Sequence, residues 1–205
     1  MARKTTAKLL LLLMTTDVLL ISFTQSTPWW SRRRRCKSSR PSIRGVIWVN
    51  YWQHDFPTVH CKKSFSLRKW YSRHRTCKKD RIFSFACGYG PVAYNRKDCV
   101  GKNHLVNNYD KPVDFECKRN SFIIGVGSEY SHRHADRRFK FLCCPARGFV
   151  AHSCKTTKYQ NQWKGDLDYL VPSGYFLVGV YSEHNNSHED RRWKFDICKF
   201  SKKRG

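Results

Sequence analysis

An all-β fold, arranged as a single disulfide-rich domain of three repeats of about 55 residues with long loops, follows from three features of this 205-residue chain. The first is the hexapeptide Asp190-Arg191-Arg192-Trp193-Lys194-Phe195. It occurs 54 residues earlier as Asp136-Arg137-Arg138-Phe139-Lys140-Phe141 and, more worn, as Asp80-Arg81-Ile82-Phe83-Ser84-Phe85. The second is a series of short runs rich in Val, Ile, Phe, Tyr and Trp, separated by turn-prone clusters such as Gly88-Tyr89-Gly90-Pro91 and Pro172-Ser173-Gly174, without helical periodicity. The third is ten cysteines behind an N-terminal segment that reads as an export signal.

The repeat is longer than its hexapeptide. Gly125-Val126, Ser128-Glu129 and His134 answer Gly179-Val180, Ser182-Glu183 and His188, which makes ten identities in seventeen positions. Ser72, Ser128 and Ser182 each stand eight residues before the Asp, and Trp48-Val49-Asn50 ahead of Cys61 is repeated as Leu105-Val106-Asn107 ahead of Cys117. Side chains alternate along a strand, so Arg191, Trp193, Phe195 and Ile197 share one face and Arg192, Lys194 and Asp196 the other. The first face is a core. A guanidinium survives there only when a carboxylate pairs with it, and Asp190 or a neighbouring Glu is the expected partner of Arg191. The outward residues Arg192 and Lys194, with their echo Arg138 and Lys140, are the candidate polyanion-binding residues.

Taken in order, residues 1–26 have a basic start, an apolar run broken by Asp17 and a small-residue end, which is the pattern of a secretory signal. The run is shorter than the ~20 apolar residues of a spanning helix, so a membrane-spanning chain is not expected. Residues 27–44 form a basic tail. Its run Ser31-Arg32-Arg33-Arg34-Arg35-Cys36 can be read as a solvated tail, a polyanion-binding arm or a processing site after Arg35. The domain proper spans 45–200, with strands expected at 45–51, 82–87, 121–128, 137–143, 175–181 and 191–200, and a second basic tail covers 201–205.

Forty Lys and Arg face fifteen acids, a net charge of +25 that falls only to +23 once residues 1–26 are removed. Such a surface seeks polyanions. On the secretory route nucleic acid is not the expected target, and sulfated glycosaminoglycans or proteoglycans, acidic matrix proteins and anionic cell surfaces are. No serine-hydrolase, zinc-protease or phosphate-loop motif is present, so no catalytic residue, metal or cofactor is expected. His188-Glu189-Asp190 does not alter this, because its repeat partner His134 is followed by Ala135. Asn185-Asn186-Ser187 is the sole Asn-x-Ser/Thr sequon and makes Asn185 a candidate glycosylation site. Lys164-Gly165-Asp166 resembles an integrin tripeptide too short to carry weight.

An oxidising compartment and an even cysteine count predict disulfides throughout. Cys61 and Cys117 both stand nineteen residues before their Asp, while Cys87 and the pair Cys143-Cys144 follow theirs by seven or eight, so each repeat is expected to close its own loop. Cys61–Cys87 and Cys117–Cys144 are the expected pairs. Adjacent strand residues point to opposite faces, so Cys143 and Cys144 take different partners.

The repeated Asp-Arg-x-Trp-x-Phe/Tyr hexapeptide with a cysteine close behind resembles the dermatopontin family of extracellular matrix proteins, over about residues 45–200. The chain departs from that pattern at Arg138 and Arg192, where the family has an acid or amide, and at Ile82 and Phe83. The resemblance implies Cys99–Cys143 and Cys154–Cys198, which leaves Cys36 with Cys77. It also implies cell–matrix adhesion and collagen-matrix assembly without catalysis, with a lectin or haemagglutinin that recognises cell-surface sugars as the second reading.

Overall fold

Three antiparallel hairpins carry the three hexapeptides. The computed structural model describes residues 36–101 and 103–204; the expected export signal, residues 1–26, and the run Arg32–Arg35 lie outside them. The hairpins are β2–β3 (Phe65–Arg75, Asp80–Tyr89), β5–β6 (Ser121–Ser131, Asp136–Pro145) and β9–β10 (Phe176–Asn185, Asp190–Lys202), and short strands precede each: β1 (Phe56–His60), β4 (Val113–Glu116) and β8 (Leu167–Leu170). A further strand, β7 (Phe149–Thr156), lines β10, and the described residues contain no helix beyond two single 3-10 turns.

Each short strand pairs with the hairpin of the next repeat. β1 joins β5, β4 joins β9, and β8 closes the cycle on β2. In all three cases the first residue of the short strand, Phe56, Val113 or Leu167, stands opposite the repeated serine, Ser128, Ser182 or Ser72. The repeated glycines follow from the same crossing. A Cβ on Gly125 would stand 2.8 Å from the Val59 carbonyl of β1, and one on Gly179 would stand 3.0 Å from the Phe115 carbonyl of β4.

At one end the hairpins turn through residues 76–79, 132–135 and 186–189, with Lys79, Ala135 and Glu189 in the left-handed region immediately before each Asp. This is the tip end. At the other, open end each first strand is preceded by a turn with a left-handed residue at its third position, Ser64, Asn120 or Gly174. The inward faces of β3, β6 and β10 meet between these ends, as alternation requires: Arg191, Trp193, Phe195 and Ile197 are buried, whereas Arg192, Lys194 and Asp196 are half-buried. Phe83, Phe139 and Trp193, one from each repeat, form a triangle of edge-to-face contacts with centroids 4.9–6.3 Å apart and planes at 81–87°. That geometry suits aromatic quadrupoles. Phe85, Phe141 and Phe195, two residues further on, continue the core around Trp70.

All ten cysteines pair: Cys36–Cys77, Cys61–Cys87, Cys99–Cys144, Cys117–Cys143 and Cys154–Cys198. Cys143 and Cys144 thus exchange the partners expected for them. Val100 forms a two-way bridge with Cys143, which sets Cys99 directly opposite Cys144 with Cα atoms 4.2 Å apart. Cys143 is the true counterpart of Cys87, because both of their bonds span 26 residues.

Other expectations shift as well. Residues 45–51 are not a strand; Val49 makes one main-chain bond to Phe83, and Asn50 bonds with its side chain. β10 runs through Lys202, where a tail was expected, because Ser201 and Lys202 pair with Val150 and Phe149. Residues 36–44 are not a free tail. They cross the first repeat, tied by the disulfide to Cys77, by bonds from Trp48 and Trp52 to the Pro41 and Ser39 carbonyls, and by packing of Ile43 on Trp48, Trp52, Tyr71 and Ile82.

Candidate ligand-binding faces

The tip end is closed by a ring of six charges. Arg81 bonds Asp190 at 2.6 and 2.9 Å, Arg137 bonds Asp80 at 2.7 and 2.8 Å, and Arg191 bonds both oxygens of Asp136 at 2.7 Å. The partner expected for Arg191 within its own repeat is therefore replaced by the acid of the preceding repeat, and Asp190 serves Arg81. The linking segments complete the ring. Gln53, Asp110 and Lys164 donate main-chain N–H groups to the three carboxylates, and the His54, Lys111 and Gly165 carbonyls accept from the three guanidinium groups. Three residues before each of those donors, Asn50, Asn107 or Asn161 bonds the backbone on either side of the third, outward hexapeptide position, Ile82, Arg138 or Arg192. Buried ion pairs are tolerable only when such bonds offset their desolvation; Arg81 Nη1 adds a bond to Ser72, whereas Nη1 of Arg137 and of Arg191 is buried without a partner. The Lys164-Gly165-Asp166 tripeptide is consumed here, since Asp166 is held by Arg73 and Tyr71.

Asp110, Asp136 and His184 also approach one another. Both Asp136 oxygens already serve the Arg191 guanidinium, whose charge opposes a metal ion at that place, and the group belongs to the ring.

The four expected polyanion-binding residues lie on the outer faces of the second and third hairpins, in two matching clusters. Arg138 and Lys140 share Glu129 at 3.0 and 2.7 Å, and Arg138 lies over Tyr109, whose other neighbour is the stacked ring of His134. Arg192 bonds Glu183 at 2.5 Å and lies over Tyr159 and Trp163, and Trp163 stacks on His188. Lys194 points over Tyr159 and Tyr181. The hydrogen bond from Lys140 holds the Glu129 carboxyl below its ordinary value; burial pushes Glu183 up, but its bonds to Arg192 and Tyr159 outweigh that and hold it low. Burial, reinforced by Glu183, pushes the Tyr159 hydroxyl up to about 12. The first repeat has Arg73, Ile82 and Ser84 at the corresponding places; Ile82 lies in the cluster on which Ile43 packs, and Arg73 bonds Asp166. Sequence alternation put these cations on the outside and was silent about their glutamates, although Glu129 and Glu183 are themselves part of the repeat.

Asn185 closes the third tip, and its side-chain oxygen accepts from the His188 main chain and lies 2.9 Å from its ring. Its neighbours Asn186 and Ser187 are exposed. Among the described residues no helix is long and apolar enough to cross a membrane.

The dermatopontin family model matches residues 50–202. Among characterised proteins, the hemagglutinin/amebocyte aggregation factor of Limulus polyphemus is 38% identical over 154 residues, 74% of this chain and 87% of that protein. Millepora cytotoxin-1 of Millepora dichotoma is 31% identical over 150 residues, 73% of this chain and 65% of that protein. Human dermatopontin is 27% identical over 160 residues, 75% of this chain and 77% of that protein. No solved structure gives a significant match. With the family pattern covering all three hairpins and the ring that joins them, the chain belongs to the dermatopontin family.

Proposed function

We propose that the protein is a secreted, non-catalytic component of the extracellular matrix that mediates cell–matrix adhesion and matrix assembly by binding sulfated glycosaminoglycans and matrix proteins such as collagen. The observation that carries this reading is how the acids are used. Asp80, Asp136 and Asp190 are spent inside the ring, and Glu129, Glu183 and Asp166 on neighbouring cations. Lys62, Lys63, Lys118, Arg119, Lys202 and Lys203 face no carboxylate among the described residues. A polyanion meets those side chains with only water to displace. Arg138 with Lys140, and Arg192 with Lys194, each keep one positive charge beyond their glutamate and extend the same surface.

Heparin chromatography at graded salt tests this. Retention that falls steeply with salt is expected, because each cation contact releases a counterion, by analogy with nucleic acid; passage through the column at low salt refutes it. A second reading, a lectin that recognises neutral cell-surface sugars, is favoured by the similarity to a hemagglutinin. It requires agglutination of red cells that a neutral monosaccharide inhibits and salt does not.

A further inference from the structure

We propose that the open ends of the first two hairpins form two pseudo-equivalent clefts, each holding a sulfated segment of a glycosaminoglycan, so that one chain grips two segments at once. This rests on the polyanion reading above and assigns it a place.

The turns that open the first and second hairpins are Lys62-Lys63-Ser64 and Lys118-Arg119-Asn120, and they superpose in their bonding. Phe65 N donates to the Lys62 carbonyl and Ser121 N to that of Lys118, both at 3.0 Å; Gly90 N donates to Ser64 and Ala146 N to Asn120, both at 2.8 Å. The third opening turn, Pro172-Ser173-Gly174, makes the matching bond from Tyr175 at 3.1 Å without any basic residue. The turn geometry therefore does not require cations, and their recurrence in two of three repeats needs another cause.

Each basic turn borders a cleft. Lys63 and Arg96 line one of about 460 Å³ floored by Tyr94, and Arg119, Arg147 and Lys203 line one of about 480 Å³ beside Phe149. Both fall in the ~300–1,000 Å³ range of ligand sites. Their walls are fixed: the Tyr94 hydroxyl ties down the Lys62 and Phe65 carbonyls, Asn120 accepts from Ala151 N, and Lys203 N donates to Gly148. Arg147 meets Asp98 at 3.0 Å and Arg96 touches the His60 ring, whereas Lys63, Arg119 and Lys203 have no charged partner among the described residues. A sulfate meeting Lys63, Arg119 or Lys203 competes with water, but one approaching Arg147 competes with Asp98 at 3.0 Å and one approaching Arg192 with Glu183 at 2.5 Å. Two sites on one rigid frame raise avidity on a long chain and can also join two chains, which is what matrix assembly by a single domain demands.

The test uses the secreted protein and a heparin hexasaccharide, with three double charge reversals: Lys63→Glu/Arg96→Glu, Arg119→Glu/Lys203→Glu, and, as a control at the tip end, Arg133→Glu/Lys164→Glu. Calorimetry is expected to give two hexasaccharides per wild-type chain and per control chain, and one for each cleft variant. The slope of log affinity against log salt on intact heparin should fall by about two for a cleft variant. An unchanged melting temperature shows that the variants are folded. Wild-type protein that binds heparin while both cleft variants keep two sites, or while the control loses as much as they do, overturns the placement alone. Wild-type protein that does not bind overturns the polyanion reading with it.

Discussion

Arg191 of the third hairpin holds both carboxylate oxygens of Asp136 of the second at 2.7 Å, so the Asp-Arg dipeptide is never satisfied within its own repeat. Asp136→Ala should leave a buried guanidinium without a counter-charge and lower stability by about 3–5 kcal/mol. Urea denaturation measures this. Exposed Asp114→Ala is the reference, and a loss below 1 kcal/mol for the ring variant would show that the ring is dispensable.

Trp193 is fully buried at a vertex where its counterparts are Phe83 and Phe139. Trp193→Ala should cost about 3–5 kcal/mol through the cavity it leaves. Trp193→Phe should be milder, because it restores the residue type of the other two vertices and removes the buried indole N–H, which has no partner. Equal losses for the two substitutions, read from thermal melts, would contradict the triangle as the organising contact.

His74 is the titration to follow. It is buried beside Asp190, Arg81 and Asp80 with Nε2 at the Glu189 carbonyl, and desolvation, partly offset by Asp190, lowers its pKa below the ordinary 6.5. Between the lowered value and 6.5 the unfolded chain binds the extra proton, so stability rises with pH across that window. The contribution is complete above 6.5 and is lost as pH falls through the folded value. The drop in melting temperature from pH 7.5 to 5.5 should therefore be smaller in His74→Gln than in wild type; identical drops would exclude His74 as the cause.

Arg192→Glu with Lys194→Glu places a carboxylate at position 192 directly opposite Glu183, its cross-strand partner. The fold should survive with a loss of roughly 1 kcal/mol, the scale of a surface pair exchanged for a repulsion. Heparin elution should shift to lower salt by less than in the cleft variants. A shift as large as theirs would move the main anion contacts to the hairpin face.

Protein from a eukaryotic secretory host should lose mass on glycosidase treatment, and Asn185→Gln should abolish that loss. An unchanged mass in both cases would show that the engagement of the Asn185 side chain with His188 blocks modification.

Alternation along 190–197 made the inward and outward faces legible, and the two aligned cysteine spacings nearly did the same for the disulfides. The ring was legible only in part. A pattern can put an arginine on an apolar face, but its partner stands 55, 57 or 109 residues away, and no local spacing records that. β2 escaped for a different reason. Its sequence, Phe-Ser-Leu-Arg-Lys-Trp-Tyr-Ser-Arg-His-Arg, is dense in cations, and a bulge between Leu67 and Lys69 interrupts the period of two. The clefts needed three dimensions, because Arg119, Arg147 and Lys203 come from three segments that only folding brings together.

The pairing of β8 with β2 means that the last repeat is completed by the first. No sub-assembly of one or two repeats has its charges matched or its sheets filled, so the domain should gain its stability in a single late step, when the third hairpin docks. Contacts of such long sequence range make folding slow. The same closure makes the order of the repeats along the chain arbitrary: a permuted polypeptide that opens in the loop before β4 and carries residue 204, at the open end, back to residue 36, beside Cys77 at the tip end, through a flexible linker long enough to span β10 would meet the same partners in the same places.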